Sequence, residues 1–166
     1  PFKATVMKFN GTSWENVGSP GFSAGTANHV SLFVYAGTPY IGYLDMGNSN
    51  KATVMKYDGT AWTNVGPAGF SSGAANYTSL FVYDGTPYLA FANGANTDRA
   101  EVMKYNGSSW ETVGTGSFSG DWAMSLSLFI ENGVLYVSYR DSDQSGKATV
   151  KKFSGTAWET VGTAGF

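Results

Sequence analysis

Asp141-Ser142-Asp143-Gln144-Ser145-Gly146 is the stretch whose residue types and spacing come nearest to a metal loop. Oxygen donors at alternate positions followed by a glycine suit Ca²⁺, a hard cation gathered by side-chain and backbone oxygens around a sharp turn. The distal bidentate acid is missing, because Thr149 and Lys152 stand where it would fall. Asp141, Asp143 and Ser145 are therefore a calcium candidate with an incomplete donor set, and the stretch reads first as a solvated polar turn. No other cofactor is expected. Catalytic signatures are also lacking. The single histidine, His29, has no partner at a familiar spacing, and Asp141 and Asp143 are the closest carboxylate pair in the sequence. Neither a nucleophile-elbow motif nor a phosphate-binding glycine loop nor a zinc-type histidine pair occurs. The chain has no cysteine, which excludes disulfides and thiolate sites. The expectation is a protein without catalytic residues.

Aromatic residues offer a different chemistry, since their faces stack on sugar rings and on other apolar surfaces. Trp14, Trp62, Trp110 and Trp158 recur once every 48 residues, and a tryptophan fixed at one place in every repeat reads as packing. A fifth, Trp122, breaks the pattern: Asp121-Trp122 replaces Gly25-Thr26 and Gly73-Ala74 of the earlier copies. Nearby positions vary too. His29 becomes Tyr77 and then Ser125, while Leu44 becomes Ala92 and then Arg140. Trp122, Asp121, Tyr77, His29 and Arg140 are the candidate ligand-binding residues, carried on loops whose scaffold repeats while they do not.

The elements that must position them follow from self-similarity. KATVMKFNGTSWENVG begins at Lys3, and related segments begin at Lys51, Arg99 and Lys147. A fixed period in this range marks an array of supersecondary units. Each copy reads as a β-rich strand, an Asn-Gly type of turn and a Trp-bearing return strand, with type I′ geometry expected at the turn. A loop over 19–28 leads to a second hairpin, with strands predicted over 30–35 and 40–45 around the turn 36–39. The polar linker 46–50 then returns to the next copy.

These strands are apolar on both faces, as in a sheet packed between similar sheets, whereas a half-solvated antiparallel sheet alternates. The fold class is therefore all-β: a β-propeller of four-stranded antiparallel blades with strands A to D running outward from the axis. Residues 1–166 form one domain, with repeats 3–50, 51–98, 99–146 and the partial 147–166, about three and a half blades. The longer D-to-A and B-to-C loops should share one end of the array. The outer half of each copy, as in VMKYDGTAWTNVG, resembles a kelch-type blade, although Gly42-Tyr43, Ala90-Phe91 and Ser138-Tyr139 replace that family's Gly-Gly pair. The resemblance implies a propeller.

Composition narrows the function classes. Net charge is −2, giving no electrostatic case for nucleic acid, and no apolar run reaches membrane-span length. Charged residues make up 13% against roughly 25% in ordinary soluble chains, while aromatics reach 16%. That balance reads as an extracellular or cell-surface module, and a start at Pro1 reads as a processed or excised segment. An open array exposes apolar blade faces, so self-association into a closed ring, a dimer or larger, or a place in a longer repeat chain is expected. The first expectation for function is a non-catalytic extracellular module for protein or surface interaction, with a protein or glycan ligand. Alternatives are a carbohydrate-binding, lectin-like propeller and a purely structural or engineered self-assembling repeat.

Overall fold

The computed structural model describes residues 2–166. Strands β1 (Met7–Phe9) and β2 (Trp14–Asn16) form a two-stranded sheet. The first complete sheet holds β3 (Ala27–Tyr35), β4 (Thr38–Asp45), β5 (Lys51–Tyr57) and β6 (Trp62–Asn64) in chain order. The next is β7 (Ala75–Tyr83), β8 (Thr86–Asn93), β9 (Arg99–Tyr105) and β10 (Trp110–Thr112). The last is β11 (Ala123–Glu131), β12 (Val134–Asp141), β13 (Lys147–Phe153) and β14 (Trp158–Thr160). Every pairing is antiparallel. Strand β7 lies against β3 and β4, and β11 against β7 and β8. The fold is thus a β-propeller array of three complete blades and one outer hairpin.

Three details depart from the sequence-based expectation. Strand β1 begins at Met7, not Lys3, because residues 3–6 have no B strand beside them to complete a ladder. Strands A start earlier than expected, at Ala27, Ala75 and Ala123. Each absorbs a β-bulge, and the bulged His29, Tyr77 and Ser125 sit at φ of 50°, 54° and 52°. The turns also exchange roles. Paired positive φ, the type I′ condition, occurs at Ala36-Gly37, Asp84-Gly85 and Asn132-Gly133, in the A–B hairpins. At Asn10-Gly11 only the glycine has positive φ. There the Asn10 side-chain oxygen accepts from the amides of Thr12 and Ser13 at 2.9 Å each, closing a four-residue Asx loop.

The blades meet at a repeated tryptophan joint. Trp62 stacks on Phe22 of the preceding repeat with centroids 4.4 Å apart, and its Nε1–H donates to the Val17 carbonyl at 2.7 Å. Trp110 does the same with Phe70 and Val65, and Trp158 with Phe118 and Val113. Glycine 18 is required at this joint: it has φ of 74°, and a Cβ there would come within 2.8 Å of the Tyr57 ring. Further inward, the B strands keep small residues where the next blade approaches. A Cβ at Gly42 would lie 2.6 Å from a methyl of Leu89, and Ala90 at the same place is fully buried. Trp14 has no repeat before it among the described residues and is 66% exposed, against 8% for Trp110.

A buried serine fixes each D-to-A loop. Ser71 accepts from the Ala52 amide at 2.9 Å and donates to the Gly73 carbonyl at 2.6 Å, and Ser23 and Ser119 repeat both bonds. Replacing Trp110 with alanine is expected to cost about 3–5 kcal/mol in urea unfolding, while Trp14→Ala stays within about 0.5 kcal/mol. Ser71→Ala strands a buried amide and a carbonyl and should cost about 1–3 kcal/mol in the same assay.

Candidate functional site

Two ends of the array can carry a site. At one end the D-to-A and B-to-C loops pack together, as the sequence leads one to expect. The amides of Met46, Gly94 and Ser142 donate to the carbonyls of Thr26, Ala74 and Trp122 at 3.0, 2.8 and 3.2 Å. The bulges aim the residues just inside this end. The rings of His29 and Tyr77 lie 4.9 Å apart, and the Thr78 hydroxyl donates to the His29 carbonyl, linking neighbouring A strands. Trp122 and Asp121 occupy the following D-to-A loop, where Trp122 is 55% exposed. Arg140 lies beside them: it pairs with Met124 across the A–B ladder, and its Nε–H donates to the Gly146 carbonyl at 3.3 Å. The structure therefore brings the candidates together as two groups, His29 with Tyr77, and Trp122 with Asp121 and Arg140.

The calcium candidate stands at the same end. Asp141 is buried, and its Oδ1 accepts from the Asp143 amide at 3.2 Å, capping a 3-10 turn over Ser142–Gln144. Asp45 caps the first such turn from Gly47 at 2.9 Å, and the neutral amide Asn93 caps the second from Ala95 at 3.1 Å. An Asx cap explains the shared first position of the loop, since an amide oxygen serves there as well as a carboxylate. Ser145 is the left-handed residue that ends the turn, at φ of 56°. The Asp143 carboxylate lies over Gly120, where a Cβ would collide with it. Burial raises the Tyr139 phenol, and the neighbouring Asp141 carboxylate raises it further.

At the opposite end, between the A–B and C–D turns, the blades leave concave grooves that the sequence reading did not find. The groove between the first two complete blades, about 420 Å³, is walled by Tyr40 and Lys56 on one side and by Pro87, Tyr105 and Asn106 on the other. The next, about 320 Å³, repeats it with Tyr88 and Lys104 facing Leu135, Phe153 and Ser154. Tyr40 and Lys56 also border a hollow of about 500 Å³ over the first complete blade's own turns. Antiparallel register makes each wall. Tyr40 is the cross-strand partner of Lys56, and Tyr88 of Lys104. The 48-residue period was a usable signal, because tyrosine recurs at 40, 88 and 136 and lysine at 8, 56, 104 and 152. What it did not reveal is that the two residues pair.

Neither a protein-family model nor a curated protein sequence matches the chain. Solved structures do. An endo-1,4-beta-xylanase from Bacteroides thetaiotaomicron matches 98% of the chain with a TM-score of 0.60 at 18% identity, over 65% of its own length. A Bacteroides ovatus xyloglucan-locus protein designated GH43B matches 84% of the chain with a TM-score of 0.58 at 17% identity, over 31% of its length. A fucose lectin from Kordia zhangzhouensis, in complex with methyl-fucoside, matches 81% of the chain with a TM-score of 0.52 at 11% identity, over 99% of its length. The chain thus spans 31% of one of those two Bacteroides proteins and 65% of the other. At these identities the likeness shows the fold.

Two expectations are corrected by these matches. A non-catalytic module for protein or surface interaction was the first reading, yet glycoside hydrolases and polysaccharide lyases dominate the similar structures, with a lectin beside them. The expected absence of catalysis rested on missing sequence motifs. That ground fails for this fold, because glycosidase carboxylates are brought together in space from separate segments and leave no local motif.

Proposed function

We propose that the chain is a carbohydrate-binding, lectin-like propeller that holds its ligand in the turn-end grooves between blades. The observation that carries this reading is the recurrence of one groove chemistry at successive blade junctions. An aromatic ring suits the apolar face of a pyranose, and the Lys56 ammonium and Tyr40 phenol supply donors for hydroxyl oxygens. Groove volumes of about 420 and 320 Å³ fall in the range of small-ligand sites. Repetition along the array favours a chain of sugars over a single one. The extracellular setting expected from composition agrees with a polysaccharide ligand, and among the described residues no helix is long and apolar enough to cross a membrane.

A second location for the same function is the loop end, favoured by the exposed Trp122 and the paired rings of His29 and Tyr77. A panel of immobilised neutral and acidic glycans distinguishes the two. Tyr40→Ala is expected to weaken binding about tenfold, or about 1.4 kcal/mol, with the fold intact by circular dichroism. Trp122→Ala should leave binding unchanged. Loss with Trp122→Ala alone would move the site to the loop end, and no binding to any glycan would overturn the reading. Assaying the same incubations for released reducing ends separates binding from turnover.

A further inference from the structure

The lysines along the turn end are not equivalent, and their difference bears on the class of sugar. Lys8, Lys56, Lys104 and Lys152 occupy one position of successive C strands. Across the C–D ladder they face Glu15, Thr63, Glu111 and Glu159. Three of them form ion pairs, at 3.0 Å for Lys8–Glu15, 3.2 Å for Lys104–Glu111 and 3.8 Å for Lys152–Glu159. Lys56 faces a threonine, and among the described residues it makes no ion pair. Thr63 is no substitute, since its hydroxyl is directed at the Lys56 backbone carbonyl at 3.4 Å.

Lys56 borders the groove to the second complete blade and the hollow over its own blade's turns; Lys104 also borders two grooves, but it is ion-paired with Glu111. One carboxylate shares that hollow, Asp58. Its Oδ1 already accepts from the Thr60 amide at 2.8 Å, the Thr60 hydroxyl at 2.7 Å and the Ala61 amide at 2.8 Å. Those turn donors, the Ala61 amide foremost, hold the Asp58 carboxyl below the usual carboxylate range. Asp58 closes its own turn through Oδ1, and the Lys56 ammonium adds a smaller lowering of its carboxyl from beyond ion-pair distance. The groove to the second complete blade has no carboxylate in its lining, and its other cation, Lys104, is neutralised by Glu111. An ammonium without an ion-pair partner, set beside the Tyr40 phenol, is matched by a sugar ring bearing a negative charge.

We propose that the groove between the first two complete blades selects an acidic polysaccharide, with an anionic substituent on one pyranose seated against Lys56. This rests on the reading of the grooves as carbohydrate sites and adds the class of sugar. A carboxylate and a sulfate ester share the required chemistry. General attraction for polyanions is absent, because the chain carries a net charge of −2.

The test is calorimetric or interferometric binding of the 166-residue chain to polygalacturonate, dextran sulfate and neutral arabinoxylan at one ionic strength. At least one acidic polymer should bind about tenfold more tightly than arabinoxylan, the scale of one charge-assisted hydrogen bond. Which of the two binds better identifies carboxylate or sulfate. Lys56→Met keeps the aliphatic stem at an exposed position and should bring acidic and neutral affinities together. Lys51→Met, at the loop end of the same strand, should change nothing. Equal affinity for acidic and neutral polymers, with Lys56→Met silent, overturns the acidic assignment and leaves the groove reading standing. An equal loss in Lys51→Met also overturns it, as diffuse charge attraction. No binding to any of the three by the folded chain overturns this assignment and the groove reading together.

Discussion

The indole of Trp62, stacked on Phe22 with Tyr57 tilted beside it and anchored through its N–H to the Val17 carbonyl, ties one repeat to the next. Strands within a blade are joined by ladder hydrogen bonds, and no such ladder crosses from blade to blade. Cohesion between blades comes from the tryptophan joint at the rim, the close approach of A strands to small residues on B strands near the axis, and single hydrogen bonds such as Ala75 N–H to the Asn50 carbonyl and Leu80 N–H to the Ser31 hydroxyl. Each joint uses a residue from the outer strand of one repeat and a loop phenylalanine from the repeat before it. Separate hairpins therefore become an array only when neighbours are present. The Nε1–H finds a buried carbonyl at every internal joint, which meets the requirement that a buried donor be paired.

Rigid spacing at the rim and axis sets what remains open between. Where the A–B and C–D turns of successive blades diverge, nothing fills the gap, and the grooves over Tyr40 and Tyr88 result. Their walls are firm because each tyrosine–lysine pair belongs to paired strands. The other end is closed by loop-to-turn hydrogen bonds and by buried serines. Variation at the loop end, from His29 to Tyr77 to Ser125, is tolerated because those residues occupy bulges outside the ladder. Variation at the turn end is narrower and more chemical, a threonine at 63 in place of glutamate leaving Lys56 without a cross-strand ion pair.

Much of this architecture could be read from residues alone. The strand order, the four-stranded blades and the packing role of Trp62, Trp110 and Trp158 follow from a period that returns the same types to the same places. The bulge at His29 was hidden, because a small polar run such as SAGTAN reads as loop whether or not its end pairs. The Asn-Gly turns were assigned the wrong geometry, because the asparagine oxygen captured two amides and enlarged the loop, while Ala36-Gly37 adopted the tighter form. The grooves were less visible still. Tyr40 and Lys56 are partners only once β4 and β5 pair in register, and Tyr105 joins them only across a blade junction. The same reasoning explains the correction about catalysis: residues gathered from different strands leave no contiguous motif.

The central claim is that carbohydrate lies in the turn-end grooves, and amide hydrogen exchange with and without a bound oligosaccharide tests it most directly. The account predicts slowed exchange at Tyr40, Lys56 and Val65 on one wall of the groove between the first two complete blades, and at residues 85–88 and 104–107 on the other. Slowing confined to residues 119–125 and 140–146, with the turns unaffected, would contradict it and place the ligand against Trp122 and Arg140.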